Sequence, residues 1–228
     1  MTTILALESS ADACSVALWR HGEIQQMFEL APRQHTRLML PLVDQLLSKC
    51  QCSLADIDAY AFGAGPGSFT GLRIAVGIVQ GLAFAVDRPV VAVPSLHALA
   101  LTAVRELNIQ PGQTIAVAVD ARMDEVYWAC FSVTSDGAEP QDEVDILPHA
   151  AVPELQGDFI AVGSGWGLEA LAPMAVNASA VYHDLAPQAY DLLPLAVQLF
   201  ELGETTSAAD AAPHYIRNTV SWKKLSEQ

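Results

Sequence analysis

Apolar and polar positions alternate along the first thirty residues in a pattern that predicts an antiparallel meander. Ile4-Leu5-Ala6-Leu7 reads as a buried strand ending in Glu8-Ser9-Ser10. After an Ala-Asp-Ala turn, Cys14 to Trp19 alternates as a second strand, and beyond His21-Gly22 the run Ile24 to Phe28 gives a third. The period then changes. Met39, Leu42, Val43, Leu46, Leu47 and Cys50 fall at helical spacing, which predicts a helix between Gln34 and Cys50 that Pro41 either kinks or opens. Ile57 to Phe62 is a buried strand that runs into Gly63-Ala64-Gly65-Pro66-Gly67, a tight loop poor in Cβ atoms. Ser68 or Thr70 can cap the helix that follows, about Thr70 to Val86. A short strand over Pro89 to Val93 and a helix capped by Ser95 and running to about Leu107 come next.

Beyond Pro111-Gly112 the opening pattern returns. Ile115 to Val119 is a buried strand ending in Asp120, and after a short loop Glu125 to Val133 alternates as a returning strand. Later, Phe159-Ile160-Ala161-Val162 enters Gly163-Ser164-Gly165-Trp166-Gly167 as the 57–62 strand enters its own glycine loop. Each half thus has strand, acid, turn, strand, and then a strand into a glycine loop, which predicts an internal duplication. The expected division is 1–108 and 109–228, with a last helix from Asp191 to Leu202 and a tail, Pro213 to Gln228, that returns to the first half.

The 70–86 helix carries small residues on one side: Gly77, Gly81 and Ala85 recur every fourth position, with Gly71 and Ala75 beside them. Glycine in a helix interior costs about 1 kcal/mol relative to alanine, so close approach of another backbone is the expected compensation. Two uses fit: packing on this chain's own neighbouring helix, or contact with another molecule. Ile74, Ile78 and Leu82 form a separate apolar row expected to face the home sheet. Gln80 and a run shorter than about 20 residues argue against a membrane span.

Composition narrows the chemistry. The 228 residues carry a formal charge of −15, with lysine only at 49, 223 and 224. Such a chain repels a phosphate backbone and offers no basic stripe of its own, so nucleic acid must be held by another subunit. No basic leader with an apolar core precedes the first strand, which predicts a cytoplasmic protein. Cys14, Cys50, Cys52 and Cys130 lack C-x-x-C spacing, and no two of the six histidines stand three or four residues apart, so no metal site is expected. Glu8 and Asp120 are strand-end carboxylates of the kind that hold a magnesium-bound phosphate or orient a water, and two duplicated halves would bring them to one crevice. The loop before Arg73 lacks the lysine of a P-loop, so Arg73 is expected to hold a carboxylate or a loop carbonyl. Ser68 in Gly-Pro-Gly-Ser-Phe is not a nucleophile elbow.

Leu5-Ala6-Leu7-Glu8-Ser9-Ser10, Gly65-Pro66-Gly67-Ser68-Phe69-Thr70-Gly71-Leu72-Arg73-Ile74, Asp120-Ala121-Arg122-Met123 with Glu125-Val126-Tyr127-Trp128, and the tail Tyr215-Ile216-Arg217-Asn218 with Trp222-Lys223-Lys224 together resemble the TsaB (YeaZ) family of bacterial tRNA threonylcarbamoyladenosine biosynthesis proteins. The resemblance implies an α/β chain with the duplicated actin/Hsp70/sugar-kinase (ASKHA) fold, built of two mixed-sheet subdomains with flanking helices. It implies a non-catalytic paralogue of TsaD, the transferase that places threonylcarbamoyl on N6 of the adenosine beside the anticodon in tRNAs reading codons that begin with A. TsaD carries a His-x-x-x-His metal motif where this chain has Pro94-Ser95-Leu96-His97-Ala98-Leu99, and His97 stands without a partner histidine. The implied partners are TsaD, the ATPase TsaE and, in isolation, a second copy of the chain, with tRNA met only through the complex and no membrane. The implied association surface is His35, Leu38, Met39, Leu42 and Leu46 on one helix and Arg73, Val76, Gly77, Gln80, Gly81, Phe84 and Ala85 on the next. Glu8, Ser9, Gly65, Gly67, Ser68, Asp120, Gly163 and Gly165 would form a vestigial nucleotide cleft with no cofactor beyond weak nucleotide binding. The alternative is an ATP-dependent kinase or hydrolase using Glu8 and Asp120 in that cleft. A metallopeptidase is argued against by the missing histidine pair.

Overall fold

In a computed structural model, which describes residues 2–216, the first half of the chain forms β1 (Ile4–Glu8), β2 (Ala13–Arg20), β3 (Glu23–Leu30), α1 (His35–Lys49), β4 (Ala59–Gly65), α2 (Phe69–Val86), β5 (Val90–Pro94) and α3 (Ser95–Leu107). The second half forms β6 (Thr114–Arg122), β7 (Glu125–Thr134), β8 (Gly137–Pro140), β9 (Asp145–Pro148), β10 (Phe159–Val162), α4 (Ala172–Ala175), β11 (Ala180–Tyr182) and α5 (Ala189–Glu201). The tail residues Arg217, Asn218, Trp222, Lys223 and Lys224 lie outside the described residues.

The two sheets repeat one topology. The first has the order β3-β2-β1-β4-β5, and the second, β8-β7-β6-β10-β11, is the same order built again, with β9 added beside β7. In each the first two strands are antiparallel and the first, fourth and fifth are parallel. Both sheets are therefore mixed, and the duplicated ASKHA-like architecture follows directly from the strand order. β8, β9 and β11 were not predicted, since each is only three or four residues long and carries too few positions for a period to show.

Period-2 alternation assigns each face of the first sheet to a different layer. Leu5, Leu7, Val16, Leu18, Tyr60 and Phe62 pack against Met39 and Leu46 of α1 and Ala75, Val79 and Ala83 of α2. The opposite face, Ile4, Ala6, Ala17, Ala59 and Ala61, is lined with small residues and covered by Leu192, Leu193 and Ala196 of α5. α3, which belongs to the first half in sequence, packs Leu96, Leu99, Ala100 and Ala103 on Ile115, Val117 and Phe131 of the second sheet. Each half thus lends a helix to the other's sheet. Ser95 is the first residue of α3, not its cap, because Pro94 takes the capping position.

α3 and α5 are joined by a buried ion pair. Asp191 is 4% exposed and accepts two bonds from Arg105, Nε to Oδ1 at 2.9 Å and Nη2 to Oδ2 at 2.8 Å, and a third from Thr102 Oγ1 at 2.7 Å. The Arg105 guanidinium also lies 4.7 Å from the Tyr190 ring centroid. From α5 the chain returns across the first half. Thr206 exchanges two backbone bonds with Val90, Ala208 and Ala211 enter the first core, and His214 N donates to the carbonyl of Ala64 at 2.8 Å.

α2, with 18 residues, is long and apolar enough to cross a membrane by length and composition alone, so the expectation that length excludes a span is corrected. Its buried row instead packs on the first sheet. Replacing Asp191 with alanine removes the bidentate acceptor of a half-buried Arg105, which keeps Gln188 and Glu106, and leaves Thr102 only the Ala98 carbonyl; it is expected to lower stability by about 1–2 kcal/mol. Urea unfolding checks this, and a loss below about 0.5 kcal/mol, the size of an ordinary surface substitution, would remove the pair's structural role.

Candidate functional site

The glycine loop after β4 closes on the turn after β1 through contacts between backbones. Ser68 N donates to Ser10 O at 2.7 Å and Ser9 Oγ to Gly71 O at 2.9 Å, while Ser68 Oγ caps α2 by accepting from Gly71 N at 3.3 Å. A Cβ at Gly71 would overlap the Ser9 carbonyl, and one at Gly63 would overlap the Glu8 carboxylate. Glu8 itself is 1% exposed. Its Oε1 accepts from Ser10 N, and its Oε2 accepts from Ser95 Oγ at 3.1 Å, which in turn accepts from Gly65 N at 3.1 Å. Burial pushes the Glu8 carboxyl above the ordinary 4.5, partly offset by the donors of Ser10, Ser95 and Ser9.

The second half repeats the clamp without the acid. Leu7 pairs with Phe62 just before Gly63, and Val117 pairs with Val162 just before Gly163. Glu8 therefore corresponds to Ala118, and Asp120 to Ser10. A Cβ at Gly163 would lie 2.6 Å from Ala118 O, and one at Gly165 2.9 Å from Ala118 C. Asp120 N donates to Ser164 Oγ at 3.1 Å, and its carboxylate accepts from Arg122 N at 2.8 Å and pairs with Arg122 Nη1 at 2.9 Å. Glu8 lies beneath α3 and Asp120 on the hairpin between β6 and β7, and the two share no hydrogen-bond partner among the described residues. Two surface cavities of about 510 and 430 Å³ lie elsewhere. Residues 83–84, 87–89 and 205–209 line the first, and β3, the end of α3 and residues 184–188 line the second. Ser9, Gly65, Gly67 and Ser68 are likewise engaged in or beside the first clamp. Among the described residues no three His, Cys, Asp or Glu side chains converge as a ligand set.

The association surface divides by burial. Met39, Leu42 and Leu46 of α1 and Val76 of α2 are buried in the first core, and His35 is buried with Nε2 2.8 Å from Ala11 O. Their side chains are committed to this chain, so their expected place at an interface is corrected. Leu38 is half-buried, and Gln80, also half-buried, donates to Ala211 O at 3.0 Å. Arg73, Gly77, Gly81, Phe84 and Ala85 are exposed, Phe84 at 79%. The row facing the home sheet is Leu72, Ala75, Val76, Val79 and Ala83, while Ile74, Ile78 and Leu82 lie at its half-buried margin, which corrects that expectation. Among the described residues Arg73 holds neither a carboxylate nor a carbonyl: its guanidinium lies 3.6 Å over the Phe69 ring and its Nε donates to Tyr215 Oη at 3.1 Å. Leu40, Phe69 and Tyr215 add exposed apolar area that sequence reasoning missed. Leu40 lies off the helical row that marks the buried face of α1, Phe69 is the first residue of α2, and Tyr215 lies outside any helix. Beyond the helix's own backbone, no atom of the described residues lies within 4 Å of a Cβ built at Gly77 or Gly81, so the described side chains do not fill the stripe.

Comparison with known proteins supplies the lineage. Residues 27–145 match the family model described as TsaD, tRNA N6-adenosine threonylcarbamoyltransferase. The chain is 40% identical over 230 residues to the tRNA threonylcarbamoyladenosine biosynthesis protein TsaB of Escherichia coli K12, covering 97% of each. It is also 40% identical to TsaB of Haemophilus influenzae, over 98% of this chain and 97% of that protein. A solved structure of YeaZ from Pseudomonas aeruginosa, 43% identical, superposes with a TM-score of 0.85 over 94% of this chain and all of that one.

Gly77→Ala and Gly81→Ala meet open space, so each is expected to raise the stability of the isolated chain by about 0.5–1 kcal/mol in thermal or urea unfolding. A loss at either position would mean that the stripe is filled. For Glu8 the folded state holds its proton to higher pH than the unfolded chain. Its contribution is therefore full below pH 4.5 and declines as pH rises through the folded value. Glu8→Gln is expected to abolish this slope, so wild type should lose stability relative to the variant as pH rises. Parallel pH profiles would refute the assignment.

Proposed function

The chain belongs to the TsaB family and has a role in tRNA threonylcarbamoyladenosine biosynthesis, and from that premise we propose that it is a non-catalytic, cytoplasmic partner subunit of a TsaD-type transferase. In this reading residues 1–108 carry the partner face on α2 and the exposed side of α1, and residues 109–228 brace it through α5 and the tail. The observation that carries the proposal is the open glycine stripe. Gly77 and Gly81 weaken a helix that also exposes Phe84, at 79%, one turn beyond Gly81, a cost that an approaching backbone offsets.

Chemistry supports a supporting role. Glu8 is enclosed, and Asp120 is paired with Arg122 on a different hairpin. His97 lies against Phe131 with Nε2 2.6 Å from Ala138 O, so the histidine at the position of the transferase motif joins α3 to β8. A chain with a formal charge of −15 meets tRNA through a partner that supplies the cations, and TsaE and nucleotide act on the complex. The modified atom is N6 of the adenosine beside the anticodon in tRNAs reading codons that begin with A, and the same α2 face forms a homodimer when TsaD is absent.

Gly81→Leu is expected to keep the circular dichroism and unfolding midpoint of a folded chain while weakening association with purified TsaD at least about tenfold, the equivalent of 1.4 kcal/mol. Calorimetric titration measures it. A folded Gly81→Leu chain that binds TsaD as wild type does would overturn the proposal.

A further inference from the structure

Glu8 and Asp191 are the carboxylates that the described chain buries almost completely, at 1% and 4% exposure. Asp191 answers to Arg105. Among the described residues Glu8 answers only to neutral donors, those of Ser9, Ser10 and Ser95. A carboxyl group held dry without a cation is expensive to keep, and neither packing nor the partner surface explains it directly.

Its geometry does suggest an office. Oε1 takes the N–H of Ser10 and so fixes the turn after β1. Oε2 takes the hydroxyl of Ser95 and so fixes the first residue of α3, and through the same hydroxyl the N–H of Gly65 at the end of β4. The carboxylate also fills the volume above Gly63, where no Cβ stands in its way. Ser9 and Ser10, placed in this way, grip Gly71 and Ser68 at the first turn of α2.

We propose that Glu8 is a positioning residue for the partner face: one side chain locks the β1 turn, the glycine loop and the start of α3 together, and thereby sets the first turn of α2. The proposal rests on α2 being the surface that meets TsaD. Glu8 itself touches no partner. Gln at this position keeps the shape and the acceptor for Ser10, whereas Ala leaves the N–H of Ser10 and the hydroxyl of Ser95 without an acceptor.

The test uses the full chain and purified TsaD, with calorimetric affinity and amide exchange over residues 69–73 as readouts. Glu8→Ala is expected to bind TsaD about tenfold more weakly and to exchange faster at 69–73. Glu8→Gln should stay within about threefold of wild type, well under that tenfold step. Val117→Ala, a truncation in the second sheet's core, should lose stability without losing affinity. Glu8→Asp, which withdraws the carboxylate from Ser95, should weaken binding in the same direction and decides the matter if the alanine variant does not fold. The proposal falls if folded Glu8→Ala or Glu8→Asp binds as wild type does, if Glu8→Gln restores nothing, or if Val117→Ala weakens binding as much. Gly81→Leu run alongside separates the two levels. If it weakens binding and the Glu8 variants do not, only the positioning role fails; if it too binds normally, α2 is not the partner face.

Discussion

The first turn of α2 lies where it does because two backbones touch. The carbonyl of Ser9 takes the volume that a Cβ at Gly71 would need, and Ser10 O accepts the N–H of Ser68 one turn earlier. Contact of this kind admits only glycine, since any side chain would drive loop and turn apart. Strand β1, the glycine loop and α2 therefore form one rigid corner. The second half repeats that corner at Ala118, Gly163 and Gly165, so the clamp is part of the duplicated architecture and not a local accident of one loop.

Duplication also explains why the two acids part company. Both strands end near a carboxylate, and sequence spacing alone makes Glu8 and Asp120 look equivalent. Register decides otherwise. The paired strands fix Leu7 against Phe62 and Val117 against Val162, which leaves Asp120 two positions further along a hairpin that pairs as far as Arg122 with Glu125. Asp120 therefore takes the place of Ser10, its N–H on Ser164 of the second glycine loop and its carboxylate on Arg122, while the turn after β1 folds Glu8 inward beneath Ser95. A side chain's equivalence is set by hydrogen-bond pairing, which the period of apolar residues does not encode.

The same distinction governs what could be read from the sequence. The bounds of α2 and α3 were legible within a residue or two because a serine, a proline and glycines punctuate them. The sheet repeat was legible because buried strands of four or more apolar residues recur before a glycine loop. The partner surface was only half legible. Helical spacing of Met39, Leu42 and Leu46 marks the face turned toward the home core, whereas the family resemblance assigns those same residues to an association surface. What faces outward is two glycines with no described side chain over them, followed one turn on by the exposed Phe84. The crossing of α3 and α5 between sheets depends on a bidentate pair between residues 86 positions apart, a distance over which no local period operates.

That open stripe has thermodynamic weight. Two helix-interior glycines cost about 2 kcal/mol together, against a total stability of about 5–15 kcal/mol for an ordinary domain. The glycine loop's cost is offset inside the chain, because Ser9, Ser10 and Glu8 fill the volumes that its missing side chains leave. The α2 stripe has no such internal return. Among the described residues nothing beyond the helix itself lies within 4 Å of a Cβ built at Gly77 or Gly81, yet the opposite side of the same helix is packed to complete burial at Ala75, Val79 and Ala83. Under the association proposal the two sides are complementary: the buried row and the rigid corner hold α2 still, and a still helix presents a flat groove without the ordering cost that a mobile one would bring to binding.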